Sequence, residues 1–172
     1  MPMSSIIRKN LLCLAPGLAV AGAASASELT ATVELPRLNV AEYHRPYVAV
    51  WLEGPDKAHH NVSVWHLVRR NDDTWLKDLR QWWRKSGRSL EMPMDGLSGP
   101  TRPVGVHEIQ VPVALTESLT EGAEYTLQIE AVREKGGREV VSVPFTWSKA
   151  QALDITASGE RELGAITLRQ SN

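Results

Sequence analysis

Short segments that alternate apolar and polar residues recur along most of this chain, and they restrict its fold more than any other feature. Residues 29–35 alternate with the period of two that a half-buried strand requires. Residues 47–53 are denser in β-branched and aromatic side chains, which is typical of a central strand. A Gly54-Pro55-Asp56 turn follows residues 47–53 and leads to a further candidate strand, residues 62–69. So short a connection predicts that the strands 47–53 and 62–69 are antiparallel neighbours.

The second half of the chain continues this pattern. Its candidate strands are residues 105–113, 125–134, 139–147, 153–157 and 165–169. Adjacent glycines, Gly136 and Gly137, favour a tight hairpin between the second and third of these. Seven or eight short strands with regular turn signals predict an all-β fold, an immunoglobulin-like β-sandwich with one short helix and one long functional loop.

One helix is predicted, over about residues 73–85, with the polar residues 71–74 as its N-cap. Its apolar side chains follow helical spacing, and we expect Trp75 and Leu79 to pack it against the sheet. Trp82 and Trp83 lie about 100° apart on such a helix, so they cannot be equally buried. One of them is a candidate for a pocket wall, although burial of most of each ring is the favoured interpretation. Trp51, Trp65 and Trp147 fall in strands and are expected in the core.

The first 26 residues have the pattern of a secretory signal peptide. Arg8 and Lys9 precede an apolar run, residues 11–21, that is too short to span a bilayer as a retained anchor. The small residues 24–26 then form a cleavage site, so we expect one mature domain, residues 27–172. Because the one cysteine, Cys13, lies in the predicted signal peptide, the mature domain would contain no thiol and no disulfide.

Charge and motif content exclude several functions. The net charge of −1 over 172 residues gives no electrostatic case for binding nucleic acid or an anionic membrane. Serine-hydrolase elbows, zinc-protease motifs, phosphate loops and dinucleotide fingerprints are all missing from the sequence. A metal site at His59 and His60 would need a third ligand, for which His44 or the pair Met92 and Met94 are candidates. We favour solvated loop histidines and expect no tightly bound metal.

The most informative segment lies in a long stretch, residues 86–103, that is rich in Gly, Pro and Ser and is predicted to lack regular structure. Structureless loops of this length are uncommon in compact domains and are usually functional. Within it, Asp95-Gly96-Leu97-Ser98-Gly99-Pro100-Thr101 resembles the flavin-attachment motif of the flavin-carrying subunits of sodium-pumping NADH:quinone reductases and electron-bifurcating membrane complexes. Asp95, Ser98, Gly99 and Thr101 match that motif, whereas Pro100 stands in place of its alanine.

The resemblance implies that the Thr101 hydroxyl carries FMN through a phosphodiester, installed from FAD by an ApbE-type flavin transferase. A threonine hydroxyl is a weak nucleophile, so the transferase must supply the activating base and metal. We therefore expect Thr101 on an exposed loop, where Gly99 allows close backbone approach and Arg102 pairs with the new phosphate.

A second resemblance covers nearly the whole mature chain. Residues 47–53, 64–66, 75–84 and 95–102 are similar to a family of predicted periplasmic proteins of unknown function. Members of that family occur beside flavin transferases and PepSY-type membrane reductases. The resemblance implies a periplasmic electron-transfer protein that exchanges electrons with a membrane reductase. The alternative is an unmodified binding module that recognises a partner or a metal through the Trp-rich helix and the His-bearing loops.

Overall fold

The computed structural model describes residues 28–68 and 73–171, and it shows two β-sheets. The strands of the described residues are β1 (Glu28–Leu35), β2 (Tyr47–Glu53), β3 (His59–His66), β4 (Ser98–Pro100), β5 (Gly105–Gln110), β6 (Glu124–Val132), β7 (Arg138–Thr146), β8 (Leu153–Ser158) and β9 (Ala165–Ser171). Two α-helices accompany them, α1 (Arg80–Lys85) and α2 (Val113–Ser118). The predicted signal peptide, residues 1–26, lies outside the described residues, and its cleavage stays a prediction.

Sheet A has the strand order β5-β1-β9-β8, and sheet B has the order β4-β3-β2-β6-β7. Every pairing is antiparallel except that of β3 with β4, which is parallel. The predicted hairpins β2–β3 and β6–β7 are confirmed, as is the last pair, β8–β9. The all-β sandwich is therefore confirmed, while its immunoglobulin-like type stays a prediction.

The main core lies between the two sheets. Alternate residues of β1, such as Leu29 and Val33, point inward and meet Val50, Leu127 and Leu168 from the other strands. Complete burial of one large apolar side chain contributes about 1.5–3 kcal/mol to the free energy that stabilises the folded state. The alternation of apolar and polar residues in the sequence thus indicates which face of a strand lies between the sheets.

A second apolar cluster covers the outer face of sheet B. The residues that build it are Tyr47, Ala49, Trp51 and Val64 from the sheet and Leu76, Leu79 and Trp82 from the segment above it. Because both faces of β2 are covered, six of its seven residues are buried. This explains why β2 is denser in apolar residues than a half-buried strand. We call residues 73–85 the Trp segment.

The Trp segment differs from the single predicted helix. It is a 3-10 helix over Asp73–Asp78 and then α1, with a break at Leu79, where ψ is 68°. Trp82 is buried and Trp83 only partly so, which confirms their unequal burial. The expectation that Trp75 packs the helix is wrong, because Trp75 is 38% exposed and Leu76 takes that place. The predicted cap residues Asn71 and Asp72 lie outside the described residues.

The break in the Trp segment coincides with a buried carboxylate on sheet B. Glu130 of β6 is fully buried and accepts hydrogen bonds from the backbone N–H groups of Gln81 (3.1 Å) and Trp82 (2.8 Å). Arg138 Nε donates a third bond to it at 2.6 Å. The first N–H groups of a helix lack intrahelical partners and favour a nearby negative charge. Glu130 therefore caps α1 from the sheet and sets where that helix begins.

Two further predictions about regular structure are wrong. The stretch 86–103 contains a 3-10 turn at Gly87–Ser89 and the strand β4, which pairs with β3 over three residues. The segment predicted as one strand to residue 113 ends at Gln110, and α2 begins three residues later. Among the described residues, no helix is long and apolar enough to cross a bilayer.

Glu139 on β7 holds the turn between β8 and β9. Its carboxylate accepts hydrogen bonds from the backbone N–H groups of all four residues 160–163, at 2.6–3.1 Å. Burial raises the pKa of Glu139, but these four donors together lower it further, so the pKa lies below its ordinary value. The ionised side chain therefore ties the edge of sheet A to sheet B.

We expect Glu139→Gln to reduce the dependence of stability on pH. A group with a lowered pKa in the folded state contributes stability that is present above its unfolded-state pKa and is lost as pH falls through the folded-state value. The free energy of unfolding of the wild type should fall as the pH drops below about 5, and that of the variant should fall less over the same range. Urea titrations at several pH values measure this. An identical pH dependence in both proteins would contradict the proposed contribution of the Glu139 carboxylate.

We expect Leu79→Ala to lower the free energy of unfolding by about 2–4 kcal/mol, because Leu79 is fully buried between the Trp segment and sheet B. Val106→Ala is the control, since Val106 is 69% exposed. Chemical denaturation of both variants measures the difference. A change in Leu79→Ala no larger than that in the control would show that the Trp segment is not docked on the sheet.

Candidate functional site

The segment that resembles a flavin-attachment motif begins with a tight turn. Leu97 N donates to Met94 O at 3.3 Å, and Gly96 within the turn has φ +73°, a conformation that glycine adopts most readily. Ser98 closes the turn, because its backbone N–H donates to Met94 O (2.9 Å) and its Oγ accepts from Met94 N (2.8 Å). Ser98 therefore fixes the shape of the motif.

The next three residues form β4, which adds a parallel edge strand to sheet B. Val64 N donates to Leu97 O at 2.8 Å, and Thr101 N donates to His66 O at 3.2 Å, so bonds at both ends attach the motif to β3. Pro100 is the last residue of this edge strand, a position where a residue without an N–H is tolerated. A Cβ at Gly99 would meet only Trp65 Cδ1, at an ordinary 3.8 Å.

Thr101 is only 8% exposed, so the expectation of an exposed loop hydroxyl is wrong. The pairing of β4 with β3 draws the chain onto the sheet and turns Thr101 toward the molecule. Its residual surface lines a cavity of about 310 Å³, which we call the Thr101 cavity. Of the motif residues Asp95, Ser98, Gly99 and Thr101, Thr101 alone lines this cavity, while Asp95 is exposed at the turn.

The Thr101 cavity has aromatic and aliphatic walls with a charged rim. Tyr43, Tyr47 and Trp75 supply rings, and Leu67 and Val132 supply aliphatic surface. The polar residues of the lining are His44, Arg45, Asp78 and Glu134. A volume near 300 Å³ and aromatic walls with polar groups beside them are found in small-ligand sites. The cavity can therefore hold part of an organic cofactor.

Electrostatic interactions organise the rim. His44 lies between two carboxylates, with Nε2 2.9 Å from Glu42 Oε1 and Nδ1 3.6 Å from Glu134 Oε2. Burial raises the pKa of Tyr43, so its phenol stays protonated and can donate a hydrogen bond. The Arg133 guanidinium lies 6.0 Å from the Tyr43 ring centroid and is itself paired with buried Glu162. Tyr43 and His44 thus each have charged neighbours that restrain them beside the cavity.

Arg102 lies apart from this cavity. Its guanidinium carbon is 4.6 Å from the centroid of the Trp65 ring, a cation–π distance. The edge of that ring also meets His107, and His107 Nε2 is 2.7 Å from Pro103 O. The predicted pairing of Arg102 with a phosphate stays a prediction. Arg45 is the arginine that shares the cavity with Thr101.

His44 and the pair His59–His60 lie far apart, and the expectation that His59 and His60 are solvated loop residues is wrong, because both are partly buried on β3. His44 precedes β2, whereas His59 pairs with Glu53 at the opposite end of that strand, and seven strand residues span about 20 Å. His59 Nε2 lies 3.1 Å from Ser86 Oγ, and burial lowers the pKa of His59. No group of three or more His, Cys, Asp or Glu residues that could hold a metal occurs within residues 28–68 and 73–171.

The sequence does not indicate Tyr43, Arg45 or Trp75 as cavity residues, and it offers His44 only as a candidate metal ligand. Tyr43, His44 and Arg45 belong to the connection between β1 and β2, which has no motif or periodicity. The sequence predicts that Trp75 packs the helix against the sheet, because it follows the helical spacing of its neighbours. Its exposure beside charged residues follows from the 3-10 helix over Asp73–Asp78.

Comparison with protein families gives one match. A family model described as a predicted periplasmic protein (DUF2271) matches residues 28–165, which include all of sheet B, the strands β1, β5 and β8 of sheet A, and the residues of the Thr101 cavity. No curated protein and no solved structure matches the chain.

Glycines 96 and 99 make a matched pair for testing the motif's conformation. We expect Gly96→Ala to lower the free energy of unfolding by about 1 kcal/mol, because an alanine at φ +73° is strained. Gly99→Ala should change it little, since its new methyl meets Trp65 at an ordinary distance. Thermal or chemical unfolding measures both. Equal effects of the two substitutions would show that the turn does not depend on the left-handed residue.

Proposed function

This chain belongs to the family of predicted periplasmic proteins (DUF2271). We propose that it works in the periplasm as an electron-transfer protein that carries FMN covalently on Thr101. The observation that carries the proposal is the position of Thr101. The residue that the flavin-attachment motif singles out is also a wall of the aromatic Thr101 cavity. The motif is a property of the sequence and the cavity a property of the fold, so their coincidence at Thr101 supports one site.

The residues around Thr101 fit the cofactor. Thr101 offers the hydroxyl for a phosphodiester, and Arg45 lines the same cavity as a cation for its phosphate. Arg102, which packs on Trp65, is less well placed for that role. Asp95 and Gly96 form the exposed turn ahead of β4, where a transferase can recognise the chain. Ser98 and Gly99 keep the turn and the strand in register with β3.

Attachment is a phosphoryl-group transfer in which Thr101 is the nucleophile. Thr101 Oγ attacks the phosphorus of the FMN half of FAD, and the new Oγ–P bond forms as the bridging P–O bond breaks. AMP leaves with the electron pair of that bond, and the hydroxyl proton passes to a base on the transferase. The base must come from the transferase, because a threonine hydroxyl at its ordinary pKa is a weak nucleophile.

Access to Thr101 requires local opening, because the side chain is almost buried. The strand that precedes it has three residues and lies at the edge of sheet B, where few hydrogen bonds hold it. Such edges open at much lower free energy than the core. After attachment, reclosure of β4 on β3 would draw the modified residue back toward the cavity.

Covalently bound FMN supplies reversible acceptance and release of electrons, with the accompanying protons. The protein's own contribution is to hold that group at one place on a rigid sandwich and to limit its contact with water. Covalent attachment suits the periplasm, where a lost flavin is not readily replaced. We propose a PepSY-type membrane reductase as the electron-exchange partner and an ApbE-type transferase as the installing enzyme.

The decisive variants are Thr101→Val and Thr101→Ser. Valine keeps the shape of this nearly buried side chain but lacks the hydroxyl, so we expect no flavin fluorescence on a denaturing gel after co-expression with an active transferase. Serine keeps the hydroxyl and should retain part of the labelling. Pro100→Ala, which restores the usual motif, should label at least as well as the wild type.

Thr116→Val is the matched control, because Thr116 is another buried threonine and lies on α2, away from the motif. It should label like the wild type, and melting curves should show that all four variants are folded. An unmodified intact mass for wild-type protein, recovered with a transferase that labels a known target, would refute the carrier. The same cavity, with exposed Trp75, would then favour the unmodified binding module.

A further inference from the structure

The cavity beside Thr101 adjoins a second groove, and Trp75 lines both. That groove has a volume of about 380 Å³ and shares Trp75, Asp78, Val132 and Glu134 with the Thr101 cavity. The two spaces therefore lie side by side along Trp75, and Thr101 lines the first of them. We call the two spaces together the Trp75 channel.

We infer that the Trp75 channel is the binding site of the flavin's isoalloxazine ring, which packs against Trp75; the inference rests on the proposed attachment at Thr101. A flavin tethered at one end of the channel has its ring confined to the channel's neighbourhood. The ring then lies against protein rather than extending into solvent. Trp75, which belongs to both parts of the channel, is the aromatic surface that it meets.

The exposure of Trp75 supports this role. Leu76 and Leu79 of the same segment are fully buried, whereas Trp75 is 38% exposed at the surface of the channel. A large aromatic ring that is partly exposed presents a flat apolar face, and planar aromatic groups stack on such faces. Val132 of β6 is the second apolar residue that lines both spaces.

Side chains of both charges line the channel. Arg133, Lys135 and Arg138 are already paired with Glu162, Glu42 and Glu130. Arg80 and the acidic side chains of Asp78 and Glu134 also line the second groove. The polar edge of a flavin, with its carbonyl and N–H groups, can form hydrogen bonds with side chains of both kinds.

The test uses lumiflavin, which is the flavin ring without ribityl chain or phosphate, and protein made without a transferase. Lumiflavin fluorescence is titrated with Thr101→Val, which cannot form the covalent bond. We expect saturable quenching, and we expect Trp75→Ala to weaken the affinity at least tenfold. Trp75→Phe should recover part of it, because phenylalanine restores an aromatic face. Val106→Ala, a substitution of an exposed apolar residue on β5, should bind like the parent.

A second readout uses the flavin-loaded protein. Iodide should quench the attached flavin more strongly in Trp75→Ala than in the wild type, because the ring loses its cover. Absence of lumiflavin binding, or equal binding with and without Trp75, would overturn the inference even where Thr101 is labelled. If lumiflavin binds to a chain that an active transferase never labels, the ring-binding site in the Trp75 channel is supported and the proposal of covalent FMN on Thr101 is refuted. Equal weakening by Trp75→Ala and Val106→Ala would also overturn it.

Discussion

The carboxylate of Glu130 joins the two parts of the molecule on which the site depends. It projects from the outer face of sheet B, is fully buried, and accepts two backbone N–H groups of α1 together with Arg138 Nε. A buried charge without such partners is strongly unfavourable, and a helix end without a cap leaves N–H groups unsatisfied. The N–H groups of α1 therefore stabilise the buried Glu130 carboxylate, and that carboxylate caps α1. This pairing fixes the position of the Trp segment on the sheet.

That position defines the walls of the candidate site. With α1 fixed, Leu76, Leu79 and Trp82 seal the outer apolar cluster, while Trp75, earlier in the same segment, is left at the surface. The chain then returns through the Gly96 turn and joins β3 as β4, which brings Thr101 to the cavity that Trp75 also lines. The cavity thus forms between a segment held by Glu130 and a strand held by β3.

Much of the sheet framework could be predicted, because its causes are local. Alternation reports which residues of β1 face the core, and adjacent glycines indicate the β6–β7 hairpin. The position of α1 could not be predicted in this way, since the carboxylate that caps it is 48 residues from Trp82 in the sequence. The short β4, Ser-Gly-Pro, has no strand-like composition and forms only because the β3 edge accepts it.

The candidate site also has parts that the local sequence predicts and parts that it does not. Thr101 was found from a local motif, but its burial arises from pairing with β3 and so reverses the expected exposure. Tyr43 and Arg45 come from a connection without pattern, and Trp75 looked like a core residue. The proposed attachment residue could be predicted from one short motif, whereas the surroundings that would hold a cofactor depend on the folded chain.

Peptide mass spectrometry of protein taken from its native compartment tests the central claim most directly. The account predicts that the peptide containing Thr101 carries the added mass of one FMN less one water, with fragment ions that assign it to Thr101 and no other residue. That peptide should also show the absorbance of a flavin during separation. An unmodified Thr101 peptide from cells with an active flavin transferase, or the same mass on a different residue, would contradict the account.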